Sequence, residues 1–385
     1  MLNCSNLRVR SDEVSSDIEE IIGQFIQALE RKLDGAERAT NKRSMVINFH
    51  NYAQRITLGV IFLVTYKKEN TIDFDTDDES WTREFHKHEL RILHPGVIAS
   101  ILFPFLRPFI TWLIQFTEIG QMSMRIIDYI HQSVDLHRAA KERHDKMQRR
   151  LSIETGAKER PFSELKSQPG FRRRLIDGFI DALMDKKITL EQFIGSAHFL
   201  LLAGFETTAA TASCLMWHLA RNPEIQTKLR QVIMEEGIDA DYVMWCLMET
   251  IRWLPAVPLG VGRVAGVDVM TNDGIVIPKG TFIMPSIYSI HHDEDIWPEH
   301  EKYIPERWRY SSTFHPAAFM GFGLGPRNCV GGKMAIHELK LITKAILTRY
   351  IVEPCDETVK EYTFKSPGLL YTIPDKPIML RFTAI

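Results

Sequence analysis

Residues 321–333 read GFGLGPRNCVGGK. One cysteine, Cys329, stands among five glycines and two residues after a fixed positive charge, Arg327. Gly321, Gly323 and Gly325 let the backbone turn tightly and come close to something large and flat. Gly331 and Gly332 begin a helix whose first N–H groups lack intrahelical acceptors and point back toward the sulfur, an arrangement that favours a thiolate. Other uses of a lone cysteine fit less well. A phosphate-binding loop requires a glycine six residues before Lys333 and a serine or threonine after it, and those positions hold Arg327 and Met334. No further ligands are spaced for zinc. A nucleophilic cysteine needs a base, and His337 falls two helical turns along. An inert buried cysteine would not need so much bare backbone around it. A thiolate held with open space above it suits the iron of a haem.

Working outward, residues 199–220 read FLLLAGFETTAATASCLMWHLA and predict part of a long buried helix, about 190–220. At a rise of ~1.5 Å per residue it would run roughly 45 Å. Glu206, Thr207 and Thr208 interrupt its apolar faces, and a buried acid is costly without partners or a task. Two readings stand side by side: hydrogen bonds that only serve the helix, with a threonine bonding back to Ala203, or a proton-handling pair. A third element is ETIR, Glu249 to Arg252, with PERW, Pro305 to Trp308, downstream. Glu249 and Arg252 share a helix face at i, i+3 among apolar neighbours, and Arg307 could supply the extra hydrogen bonds that a buried ion pair needs.

The remaining chain sets the frame. Its 385 residues carry a formal net charge of −2, which gives no global attraction to nucleic acid. Five scattered cysteines without a C-x-x-C pair argue against a disulfide framework or structural zinc and for a reducing compartment. The polar first residues, MLNCSNLRVRSDEVSS, contain no signal-peptide core or anchor helix. ILHPGVIASILFPFLRPFITWLIQF, residues 92–116, is long enough to span a membrane, but three prolines and Arg107 interrupt it. Broken helices, buried or dipping into a membrane surface, fit it better. Apolar periodicity predicts helices over 17–33, 48–64, 120–150, 171–186, 224–236, 239–254 and 330–349. The polar stretch 154–170 reads as a linker, and 261–284 as short strands. The result is a mainly α architecture with a small β portion near the C-terminus.

F-x-x-G-x-R-x-C-x-G is complete at Phe322, Gly325, Arg327, Cys329 and Gly331, and resembles the haem-binding signature of the cytochrome P450 superfamily. The pattern A-G-x-[DE]-T-T is met by Ala203 to Thr208, and the E-x-x-R with P-E-R arginine by Glu249, Arg252 and Arg307. The resemblance runs through nearly all of the chain and looks closest to the animal microsomal enzymes that oxidise steroids and foreign compounds, the group that also includes thromboxane synthase. It implies a single cytochrome P450 domain over 1–385, with the haem loop and following helix at 319–350. It implies haem b (iron protoporphyrin IX), with Cys329 as the axial iron ligand, Arg327 and Arg263 as propionate partners, and Phe322 shielding the sulfur. It assigns Glu206 and Thr207 to proton delivery, and Glu249, Arg252 and Arg307 to a structural triad. Phe199, Ala203, Val257, Leu259, Leu369 and Leu370 match substrate-lining regions; ordinary core is the other reading for each.

What the resemblance implies about activity is insertion of one atom of O2 into a small apolar substrate. Electrons would come from NADPH through cytochrome P450 reductase, with cytochrome b5 as a further partner, on the cytosolic face of the endoplasmic reticulum membrane. A haem-thiolate isomerase of a lipid peroxide and a non-catalytic truncated product are the alternatives. The chain is expected to be an N-terminally truncated form of the fold, without counterparts for the anchor and early helices, and with a short connection after residue 237. Lys333, His337, Lys340 and Lys344 recur along one helix face, as a basic stripe for an acidic reductase or as a solvated surface. His291-His292-Asp293 is read as an ordinary loop and not a metal site.

Overall fold

A computed structural model describes residues 11–40, 42–66, 74–75, single positions between 135 and 153, 175–366 and 371–385. The segments expected at 92–116 and 154–170 lie outside these residues, as do Leu369 and Leu370 and most of the helix expected at 120–150. In chain order the elements are α1 (Ser11–Thr40), β1 (Ser44–Asn48), α2 (Phe49–Tyr66), α3 (Leu175–Met184), α4 (Leu190–Arg221), α5 (Pro223–Glu235) and α6 (Asp241–Trp253). There follow β2 (Arg263–Val264), β3 (Val269–Met270), β4 (Val276–Ile277), β5 (Phe282–Ile283) and α7 (Ile287–His291). After 3-10 turns at Pro305–Thr313 and Gly325–Arg327 come α8 (Gly332–Leu347), β6 (Tyr350–Glu353), β7 (Phe364–Lys365), β8 (Ile373–Pro374) and β9 (Met379–Ala384). Among the described residues no helix is long and apolar enough to cross a membrane.

The described residues group into two compact units, one holding 11–20, 58–66 and 175–203, the other 21–57, 74–75 and 204–385. In the first, α4 starts on a reciprocal cap. The Gln192 N–H donates to Thr189 Oγ1 at 3.2 Å, and the Thr189 N–H donates to Gln192 Oε1 at 2.9 Å. Phe179 of α3 meets Phe193 of α4 edge-on, with centroids 6.4 Å apart.

The second unit contains the described residues that matter most for the chemistry. From Phe205 onward α4 buries nearly every face, with Ala209, Ala212, Leu215 and Leu219 all inside, as its sequence predicts. A three-stranded antiparallel sheet has the order β1-β9-β6. Ser44 pairs with Thr383 and Asn48 with Met379, so the early chain is tied to its end. Phe49 stacks on Phe382 at 5.8 Å beneath this sheet. The sequence reading had no strand at 44–48. β2 with β5 and β3 with β4 form separate two-stranded ladders, as expected for 261–284.

Candidate functional site

The loop before α8 is shaped by hydrogen bonds that its glycines permit. The Cys329 N–H donates to the Phe322 carbonyl at 2.7 Å, and the Gly323 N–H to that of Met320 at 2.9 Å. Gly323 and Gly325 have φ of 70° and 72°, a region that side-chain-bearing residues seldom adopt. Gly332 lies against the Phe322 ring, since a Cβ there would stand 3.1 Å from its Cδ1. The N–H groups of Gly331 and Gly332 bond to the Cys329 sulfur. Burial by the surrounding loop nonetheless pushes the thiol up, with those two N–H groups pulling the other way. The residue itself is exposed, and so are its loop neighbours Leu324, Arg327 and Val330.

Gly321 is a packing requirement of a different kind. A Cβ at this position would fall 2.3 Å from Ile251 Cγ2 and 2.6 Å from the Phe319 ring. Ile251 is buried and has little room to yield. Gly321→Ala is therefore expected to destabilise the fold by about 1–3 kcal/mol. Urea unfolding checks this, and a change within about 0.5 kcal/mol contradicts it.

Behind this loop lies a closed polar network. Glu249 and Arg252 are both fully buried. Arg252 donates to the two Glu249 oxygens at 3.0 and 2.9 Å. Its remaining N–H groups reach the carbonyls of His291 and His300, each at 2.8 Å. Arg307 Nε donates to Glu249 Oε1 at 3.0 Å, so the three residues expected together are together. Two further donors were not foreseen: Trp308 Nε1 at 3.0 Å and the Ile304 N–H at 3.1 Å. The trio spares Glu249 the cost of an unpaired buried charge.

His291 joins this network to the cysteine loop. Its Nδ1–H donates to the Arg252 carbonyl at 3.2 Å, and its Nε2 accepts the Met320 N–H at 2.9 Å. The ring stacks on Phe319, with centroids 5.1 Å apart and planes 2° from parallel. Burial and then the Arg252 charge hold the imidazole down to about 3, so it is neutral. The sequence reading saw only a loop histidine; nothing local signals contacts 39 and 29 residues away.

Other expected residues are placed as follows. Glu206 is buried and Thr207 partly so. Along α4, Thr211 Oγ1 donates to the Thr207 carbonyl at 2.9 Å and Ser213 Oγ to that of Ala209 at 2.7 Å. Arg263 is exposed and donates to the carbonyls of Val261 and Gly262. Phe199 and Ala203 are exposed, against the core reading, while Val257 and Leu259 are half-buried. The basic stripe on α8 needs correcting. Lys333 and Lys344 are exposed, but Lys340 is buried and bonded to Asp239 at 2.9 Å. Lys340 therefore completes an ion pair instead of extending a solvated cationic face.

A family model, Cytochrome P450, matches residues 3–382, and the chain belongs to that family. Cytochrome P450 3A12 of Canis lupus familiaris is 28% identical over 304 residues, covering 75% of this chain and 55% of that protein. Cytochrome P450 3A40 of Oryzias latipes is 27% identical over 375 residues, covering 93% and 68%. Cytochrome P450 3A29 of Sus scrofa is 31% identical over 209 residues, covering 51% and 41%. The chain thus spans 55% of the first of these relatives. The mainly α architecture with a small β portion is the cytochrome P450 fold.

The family implies a haem iron, and the residues present fit one. A soft sulfur donor stands exposed on a loop whose glycines admit close approach, two backbone N–H groups bonded to it favour the thiolate, and an exposed arginine stands two residues before it.

Proposed function

We propose that the chain is a haem-thiolate monooxygenase that inserts one atom of O2 into an apolar organic substrate. The observation that carries this reading is the sulfur of Cys329, exposed and held by the N–H groups of Gly331 and Gly332. When bound, the haem b would supply the redox-active iron at which O2 is reduced. Cys329 would hold that iron as a thiolate, Arg327 and Arg263 would pair with the propionates, and Phe322 would keep water from the sulfur. Gly325 and Gly331 would give the loop its close approach. Glu206 would hold a proton and Thr207 would orient it. Val257 and Leu259 would face the substrate, of the steroid or xenobiotic class. By resemblance to animal microsomal cytochromes P450, the chain would work at the endoplasmic reticulum, with NADPH–cytochrome P450 reductase, aided by cytochrome b5, as electron source.

The test is spectral. The hemin-loaded chain, reduced and exposed to carbon monoxide, is expected to show the thiolate-type Soret band. Cys329→Ala should lose that band even where haem is retained. A wild-type chain that takes up hemin and never shows the band overturns the proposal.

A further inference from the structure

Among the described residues β2 pairs with β5 alone, so β2 keeps an open outer edge. The Ala265 N–H donates inward to the Thr281 carbonyl at 2.9 Å, and the Ala265 carbonyl accepts inward from the Gly280 N–H at 2.8 Å. Successive residues of an antiparallel strand turn their N–H and C=O groups to opposite edges, so those of Val264 face outward. A lone two-stranded ladder is marginal in water, and an open edge is a template for another strand. Edges are commonly blunted by a charge or a proline. At the centre of this one stands Val264, 63% exposed. The neighbouring charge, Arg263, is turned back along its own chain and donates to the carbonyls of Val261 and Gly262. Each of those oxygens keeps a second lone pair.

The edge is also complementary to itself. Residues 261–267 read VGRVAGV, nearly the same in both directions about Val264. Antiparallel pairing of two such stretches about a two-fold axis at Val264 sets Val264 opposite Val264 and Gly262 opposite Gly266. The chain bends at Gly266 and Val267, where the paired stretch ends, and a Cβ at Gly266 would meet nothing within 4 Å, so that side is open to an approaching strand. Arg263 falls opposite Ala265, so no like charges face each other. Val264 and its cross-strand neighbour Phe282 share one face of the ladder, and Phe282 is 60% exposed. Two joined copies would line up Phe282, Val264, Val264 and Phe282 in one row across four strands, covering apolar surface that each copy alone leaves in water.

We propose that the outer edge of β2 is a docking surface for a second copy of this chain, giving a two-fold dimer through a four-stranded antiparallel sheet of order β5-β2-β2-β5 centred on Val264. The Val264 N–H of each copy donates to the Val264 carbonyl of the other. Because the same patch is used on both sides, the interface closes at two copies. The dimer is independent of haem and of the reading of Cys329.

Sedimentation velocity of the full chain over a range of concentrations should show a monomer–dimer equilibrium and no larger species. Val264→Lys sets two ammonium groups against each other on the axis and should raise the dimer dissociation constant by about tenfold or more. Its circular dichroism should match wild type, since the side chain already lies in water. Cross-linking fixes the register. Facing residues of an antiparallel ladder have Cα atoms about 4.5–5.5 Å apart, within reach of a disulfide. Val264→Cys should therefore link to itself under mild oxidation, with the joined peptide identified by mass spectrometry. Val276→Cys, at a position 58% exposed but away from the axis, should not. A wild-type chain that stays monomeric throughout, or that grows into an open-ended series of aggregates, overturns the proposal. So does a Val264→Lys dimer as tight as wild type, or equal self-linking at positions 264 and 276.

Discussion

Glu249→Ala is expected to destabilise the protein by about 3–5 kcal/mol. The carboxylate accepts from Arg252 Nε and Nη2, Arg307 Nε, Trp308 Nε1 and the Ile304 N–H, all within 3.1 Å. Its loss leaves the Arg252 guanidinium, which is fully buried, without a counter-ion. The carbonyls of His291 and His300 still receive its other donors but cannot neutralise its charge. Replacing the pair together, as Glu249→Leu with Arg252→Met, should recover part of the loss, because no lone charge then remains in the dry site. Urea unfolding of the two single variants and the double variant forms the cycle that measures this coupling. A single-variant loss below about 1 kcal/mol would mean that water enters and solvates Arg252.

Stability should rise with pH toward 6.5 as buried histidines escape protonation, opposed from pH 4.5 upward by buried Glu338 for as long as it keeps its proton. His218 and His291 are both held down to about 3, burial being the larger cause in each. Their unfolded value is 6.5, so the unfolded chain binds two protons that the folded protein refuses, and their stabilising effect is lost as pH falls below 6.5. Glu338 on α8 is buried with Oε1 lacking a hydrogen-bond partner, and burial holds its pKa well above 4.5. Folded Glu338 keeps a proton that the unfolded chain releases above 4.5, so its effect on stability runs downward as pH rises. The two histidines contribute a slope of about +2.7 kcal/mol per pH unit below 6.5, with His292, held down first by burial, acting in the same direction, and Glu338 contributes about −1.4 while only its folded form holds the proton. Glu338→Gln should remove that opposing contribution and steepen the acid side to about 2.7 kcal/mol per pH unit. Equilibrium unfolding of both proteins at several pH values checks this, and parallel curves for wild type and variant would contradict it.

Much of the molecule was legible because its signals are local. The period of apolar residues in α1, α2 and α4 to α6 marks helices whose faces must be buried; α2 and α4 to α6 form with ends moved by at most two residues, while α1 extends six and seven residues beyond the expected 17–33. The glycines around Cys329 announce a backbone that turns tightly, and Gly323 and Gly325 take positive φ. Glu249 and Arg252 at i, i+3 predict their own ion pair, since the spacing alone puts them on one face.

What escaped was set by contacts between distant segments. Ser44–Asn48 is a strand because β9, more than three hundred residues later, supplies its ladder. Lys340 looked like a surface cation by helix position, yet folding brings Asp239 to it across 101 residues. His291 carries no local pattern, and its role comes from a loop N–H that the fold brings to it. By itself the sequence determined the helices, the cysteine loop and the i, i+3 ion pair, because each depends on neighbours a few bonds away. Only the tertiary structure decided which buried polar groups meet, because a desolvated donor or acceptor must take its partner from whatever segment packs against it, however far along the chain.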